Sequence, residues 1–112
     1  MQALSFGLIR VPAPGTPVRI TLDDSIRAMM IVVKTVPGFT GRTYLGVEGM
    51  DKSAPTMTGV IRVLSEPPAF GPQDGEALPV NSGGHANVLR PSDYWVDADV
   101  ANEGVIVSYY VA

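Results

Sequence analysis

An all-β fold is predicted by three features of this sequence: dense turn residues, short β-branched runs between them, and apolar residues alternating with a period of two. Twelve glycines and ten prolines in 112 residues leave little room for long helices and suit short strands joined by turns. The runs between these breaks, such as Ile31-Val32-Val33 and Val105-Ile106-Val107, are rich in residues that fit a pleated surface. Together they predict seven or eight strands, arranged as a β-sandwich, jelly-roll-like or closed into a small barrel, with an extended N-terminal arm.

Residues 1–14 read as that arm or as an edge strand, and residues 15–112 as a single β-sandwich domain. Ala3 to Val11 ends in Val11-Pro12-Ala13-Pro14-Gly15, where two prolines impose an extended path and then a turn. Val18, Ile20 and Leu22 alternate with Arg19 and Thr21, the pattern of a strand with one wet face. Asp23-Asp24-Ser25 follows as a turn or short helix cap. Ala28 to Val33 is apolar on both faces, which predicts a central strand or one whose second face is covered by something else. A helix over Asp24 to Lys34 competes with this assignment, but Ile-Val-Val favours the strand.

Val36-Pro37-Gly38 is a predicted turn, and strands are expected at Arg42 to Val47 and Val60 to Leu64, with turn-like sequence from Glu48 to Thr58 between them. Ser65 to Gly84 holds four prolines and several glycines and is expected to run over the surface as a long irregular excursion. Short strands are expected at Ala86 to Leu89 and Tyr94 to Asp97. A last strand, Val105 to Val111, sets Val105, Val107, Tyr109 and Val111 on one face and Ile106, Ser108 and Tyr110 on the other.

Hydrophobic residues are 46% of the chain and charged residues 17%, a balance that supports a packed core and argues against disorder. So few charges also leave apolar surface to be hidden against a partner. The net charge is −3 and the eight Lys and Arg residues are scattered, so no basic cluster offers a footprint for nucleic acid. Without cysteine there are no disulfides and no thiolate chemistry. The first residues lack the basic region and long apolar run of a secretory signal, and no stretch approaches the ~18 apolar residues of a membrane span. The expectation is a soluble protein made in the cytoplasm, with no membrane and no nucleic-acid partner.

No constellation of catalytic type stands out. His85 is the single histidine, beside a Gly-Gly turn, and no serine sits in a nucleophile elbow. Asp97, Asp99 and Glu103 form the densest acidic group; they fit a calcium-binding loop or ordinary turn chemistry, the latter favoured because EF-hand spacing is absent. Asp23-Asp24 reads as a solvated turn, and Gly38-Phe39-Thr40-Gly41 lacks the lysine and helix of a phosphate loop. The chain is expected not to be an enzyme and to need no cofactor.

Tyr94-Trp95 and Tyr109-Tyr110 are adjacent aromatics within strands, so one of each pair enters the core and its neighbour faces out. Either all are core or edge-covering residues, or the outward members anchor an interface. The candidate interface residues are Leu4, Phe6 and Leu8 on the N-terminal segment, with Tyr94, Trp95 and Tyr110.

The order of segments resembles a known class. Gly15-Thr16-Pro17-Val18-Arg19-Ile20 leads to the aliphatic strand Met30 to Val33, then Gly41-Arg42-Thr43-Tyr44-Leu45-Gly46 and a turn containing Ser53. Asp93-Tyr94-Trp95-Val96-Asp97-Ala98 and Glu103-Gly104-Val105-Ile106-Val107-Ser108-Tyr109 close the chain. This pattern, spanning most of residues 15–110, is similar to the small β-sandwich virion structural proteins of tailed bacteriophages, the capsid decoration or cement type. The resemblance implies a homo-oligomer (dimer or trimer) that attaches to a major capsid protein on the virion surface and strengthens the shell. Two other functions remain open from the residues: a carbohydrate- or receptor-binding module displayed on a particle, using Tyr94, Trp95 and the Ser65 to Gly84 loop, and a small hydrolase using His85.

Overall fold

The computed structural model describes residues 2–36, 38–53, 55–64, 77–81 and 89–111. They form eight strands: β1 (Gln2–Arg10), β2 (Val18–Arg19), β3 (Met30–Thr35), β4 (Thr43–Val47), β5 (Val60–Leu64), β6 (Ala77–Asn81), β7 (Tyr94–Ala98) and β8 (Gly104–Val111). One 3₁₀ turn, Pro91–Asp93, is the only helical element among the described residues. The strands pair antiparallel in two four-stranded sheets, β1-β8-β3-β6 and β2-β7-β4-β5. The all-β sandwich expected from the sequence is the fold.

The two sheets close over one core. Ile31 and Val33 of β3, with Val105 and Val107 of β8, face Leu45, Leu64, Val96 and Ala98 of the second sheet, and all are sealed from solvent. Alternation along each strand selects these residues: every second side chain points inward. The helix over Asp24 to Lys34 does not form, because branched Ile31, Val32 and Val33 are accommodated in a central strand with neighbours on both edges.

β1 resolves the N-terminal alternatives: it is the edge strand of the first sheet, paired with β8 from Gln2 opposite Val111 to Arg10 opposite Gly104, with a bulge between Ser5 and Gly7. Gly104 is what permits this approach, since a Cβ there would lie 1.8 Å from the carbonyl oxygen of Ile9. Gly46 plays the matching part in the second sheet, where a Cβ would meet the carbonyl oxygen of Gly59 at 2.5 Å.

Two expectations are corrected, and a third lies largely outside the described residues. The strand expected over Val18 to Leu22 is only two residues long, and Leu22 is 83% exposed. Ile20 stays buried, its N–H donating to the carbonyl of Tyr94 at 3.0 Å. Beyond it Thr21 Oγ1 accepts the Asp23 N–H and Asp23 Oδ1 accepts the Ser25 N–H, so polar side chains bend the backbone out of the ladder. Second, the excursion from Ser65 to Gly84 contains a strand, β6, which pairs with β3 from Met30–Asn81 to Lys34–Ala77. Pro79 obscured it, yet a proline is tolerated on an edge strand, where its missing N–H can face outward. Third, the strand expected over Ala86 to Leu89 lies largely outside the described residues; Leu89 makes an isolated bridge to Ala28.

Candidate binding surface

The registers of the first sheet define rungs of side chains that share a face. Leu4, Tyr109 and Ile31 form one inner rung, Gly7, Val107 and Val33 the next, and Ile9, Val105 and Thr35 a third. The outer rungs are Leu8–Ile106–Lys34, Ser5–Ser108–Val32 and Ala3–Tyr110–Met30. None of these nine outer residues is buried, whereas Ile31, Val33, Val105 and Val107 directly behind them are. The result is a sheet face with Leu8, Ile106, Met30, Tyr110 and Val32 on it, with Ser5 and Ser108 paired across its middle rung and Asn81 of β6 opposite Met30.

Charge on this sheet is equally lopsided. Its four strands contain no Asp or Glu, and their only charged residues are Arg10 and Lys34, in a chain of net charge −3. Arg10 is engaged within the domain, donating to the carbonyl of Asn102 at 2.8 Å and lying over the Phe39 ring. Both cations stand at the same end of the face.

The second sheet also carries exposed apolar side chains, Val47, Ile61 and Val63, but its outer side adds polar contacts to the chain's own loops. Tyr44 lies opposite Asp97 and Val63, and Trp95 opposite Arg19 and Gly46. Asp97 is 1% exposed; its Oδ1 accepts the N–H groups of Gly15 at 3.1 Å and Ala98 at 2.8 Å, so it clasps the loop between β1 and β2. Its Oδ2 has no partner. Tyr44 donates its hydroxyl to Asp99 at 3.0 Å, and Lys52 donates to the same carboxylate at 2.9 Å while lying over the Tyr44 ring. Burial, then the hydrogen bond to Asp99, pushes the Tyr44 phenol above its ordinary range. The Asp99 hydrogen bond likewise holds the Lys52 ammonium above its own.

These contacts give each acidic residue flagged in the sequence a separate task. Glu103 accepts the N–H of Thr40 at 3.0 Å and of Gly41 at 2.8 Å, tying the β3–β4 connection to the turn before β8. No group of three metal-ligating side chains occurs among the described residues. Turn and loop fixation accounts for Asp97, Asp99 and Glu103 as they stand.

The six candidate interface residues fall into three places. Leu8, 39% exposed, and Tyr110 lie on the outer face of the first sheet. Leu4 shares the inner rung of Tyr109, and Phe6 stacks on Tyr109 with ring centroids 4.7 Å apart, so both are half-buried at the rim of the core. Tyr94 packs against the core, and burial raises its phenol above the ordinary range. Trp95 is half-buried on the outer side of the second sheet with the Arg19 guanidinium over its ring, 5.9 Å from the centroid. Met30, Val32 and Ile106 belong to the same outer face as Leu8 and Tyr110, and sequence reasoning did not single them out. Their signal was the two-sided apolar run of β3, which called for a second cover. His85, on which the hydrolase alternative would rest, lies outside the described residues, as does most of the Ser65 to Gly84 loop.

No protein-family model, curated protein or solved structure matches the chain.

Proposed function

We propose that this domain is an assembly module that docks through the outer face of its first sheet, as a structural virion protein of the capsid decoration or cement type. The observation that carries the reading is the cluster of Leu8, Met30, Val32, Ile106 and Tyr110 on adjacent strands, on the side of the sheet away from the core. A small domain has no use for a second apolar face in its own folding. Burial of such a face against a partner is favourable at roughly 25 cal/mol per Å², before the cost of association is subtracted. A shell carrying many copies multiplies modest contacts of this kind through avidity. The resemblance to phage decoration proteins supplies the partner: a major capsid protein.

The test is co-migration with particles. The chain is expressed together with a major capsid protein of a tailed bacteriophage from the same source, and assembled shells are separated on a density gradient. The wild type is expected in the particle fraction, and Val32→Asp, which places a charge at the centre of the face, is expected to leave it. A folded Val32→Asp variant that still occupies particles at the wild-type level would remove the basis of the proposal.

A further inference from the structure

We infer that the free edge of β1 pairs with β1 of a second copy, antiparallel about a two-fold axis at Leu4, joining two first sheets into one. The inference rests on the assembly reading above and names a different surface from the docking face. The direction of the backbone groups follows from three contacts. The Val11 N–H donates to the carbonyl of Glu103 at 2.9 Å, Ser5 Oγ donates to that of Val107 at 3.4 Å, and the carbonyl of Tyr110 accepts the Met29 N–H on the opposite side. Odd-numbered residues of β8 therefore turn their backbone groups to β1, and even-numbered ones to β3. Across the bulge this register makes Gln2, Leu4, Gly7 and Ile9 face β8, and leaves Ala3, Ser5, Leu8 and Arg10 pointing their N–H and C=O groups away from it.

Among the described residues, four strands have a free edge, and they are not equivalent. β2 is two residues long. β5 carries Arg62 at its centre, where a two-fold copy would bring like charges together. β6 carries Pro79 at its centre and lacks a donor there. β1 has nine residues, no proline, and no charged side chain before Arg10. Its one protection is the bulge at Phe6, a device that twists an edge away from pairing, and the flank Gln2 to Ser5 lies clear of it.

With the axis at Leu4, Ala3 of each copy exchanges two backbone hydrogen bonds with Ser5 of the other, four in all. Leu4 then meets its own counterpart as a non-hydrogen-bonded pair, whose Cα atoms stand about 4.5 Å apart. The pairing also completes a burial left unfinished in the single chain: Leu4 and Phe6 are on the core side of the sheet yet only half-buried, because β1 is the outermost strand. No like charges approach, since Arg10 lies beyond the paired flank.

The absence of cysteine from the chain makes the test direct. Sedimentation of the purified wild-type protein over a range of concentrations is expected to show a monomer–dimer equilibrium. Ala3→Pro removes only N–H groups that face away from β8; two hydrogen bonds across the axis are lost, and dimerisation is expected to weaken at least about tenfold with an unchanged melting temperature. Leu4→Cys is expected to give a disulfide-linked dimer under mild oxidation, and Leu8→Cys none, because Leu8 is far from its counterpart in this arrangement. The Leu4→Cys result decides the matter if Ala3→Pro folds poorly. A wild type that stays monomeric without a Leu4→Cys cross-link, or a dimer indifferent to Ala3→Pro, overturns the edge pairing. The two readings fail separately: particles that still take up Val32→Asp at the wild-type level overturn the docking face while a Leu4→Cys cross-link upholds the edge, and a wild type that stays monomeric without that cross-link overturns the edge while loss of Val32→Asp from particles upholds the docking face.

Discussion

On the second sheet, Tyr44, Lys52, Asp97 and Asp99 knit the outer side to the chain's own loops, whereas on the first sheet the same side presents Leu8, Val32, Ile106 and Tyr110 with none of them buried. The two sheets share a core and a strand number, so the contrast does not come from folding together. A polar side chain that fixes a loop serves the single chain; an aliphatic one standing outside the core adds nothing to that core, and it is the feature on which the proposed docking rests. The difference teaches that function in a small β-sandwich is written on the side of each sheet that folding leaves free.

The contrast can be broken most severely at the seam that holds β1 to the first sheet. Gly104→Val sets a side chain against the carbonyl oxygen of Ile9, 1.8 Å from the ideal Cβ, so β1 must detach. A loss of more than about 4 kcal/mol is expected, read by urea denaturation as the absence of a cooperative transition.

A paired substitution sharpens the comparison between the two sides of β3. Val33→Asp buries an unpaired charge in the core and is expected to cost about 3–5 kcal/mol. Val32→Asp, one residue away and on the outer face, is expected to stay within about 1 kcal/mol of the wild type in the same titration. Equal losses would mean that the outer face is itself part of the core, and the comparison would collapse.

Smaller effects probe the loop-fixing contacts. Glu103→Ala withdraws the acceptor for the N–H groups of Thr40 and Gly41, and a loss of about 1–2 kcal/mol is expected in chemical denaturation. Tyr44→Phe removes the hydroxyl that donates to Asp99 and should cost about 1 kcal/mol. This contact also carries a pH signature. Tyr44 and Lys52 both titrate above their ordinary values in the folded chain, so their contribution is fully present below those values, about pH 10. It is lost as the pH rises through the raised folded values. Above about pH 10 the wild type should therefore lose stability more steeply than Tyr44→Phe. Parallel curves from thermal melts would show that the cluster adds nothing.

Much of the fold was legible because alternation and turn residues act locally. β4, β5, β7 and β8 lie within a residue or two of where Arg42 to Val47, Val60 to Leu64, Tyr94 to Asp97 and Val105 to Val111 place them. β6 was hidden because Pro79 and its polar surroundings read as loop, and only the free edge of β3 makes that segment a strand. Leu22 misled for the opposite reason: its alternation was correct, but Thr21 and Asp23 bend the chain before it can pair. At the binding surface, Leu8 and Tyr110 could be named from the sequence. Met30, Val32 and Ile106 could not be joined to them, because the registers that set these residues side by side link positions up to about a hundred residues apart, and no local pattern carries that information.

The pairing of β1 with β8 also has a consequence for how the molecule comes into being. β1 is synthesised well before β8, the strand that holds it and that stands between it and β3. Until Gly104–Val111 emerges, the first sheet has a β3–β6 pair on one side and an unpaired β1 on the other. Closure of the sandwich is therefore a late, long-range event, of the kind that makes β-topologies slow to fold. During that wait the uncharged flank of β1 is exposed in every nascent chain, among neighbours carrying the same flank on the same message.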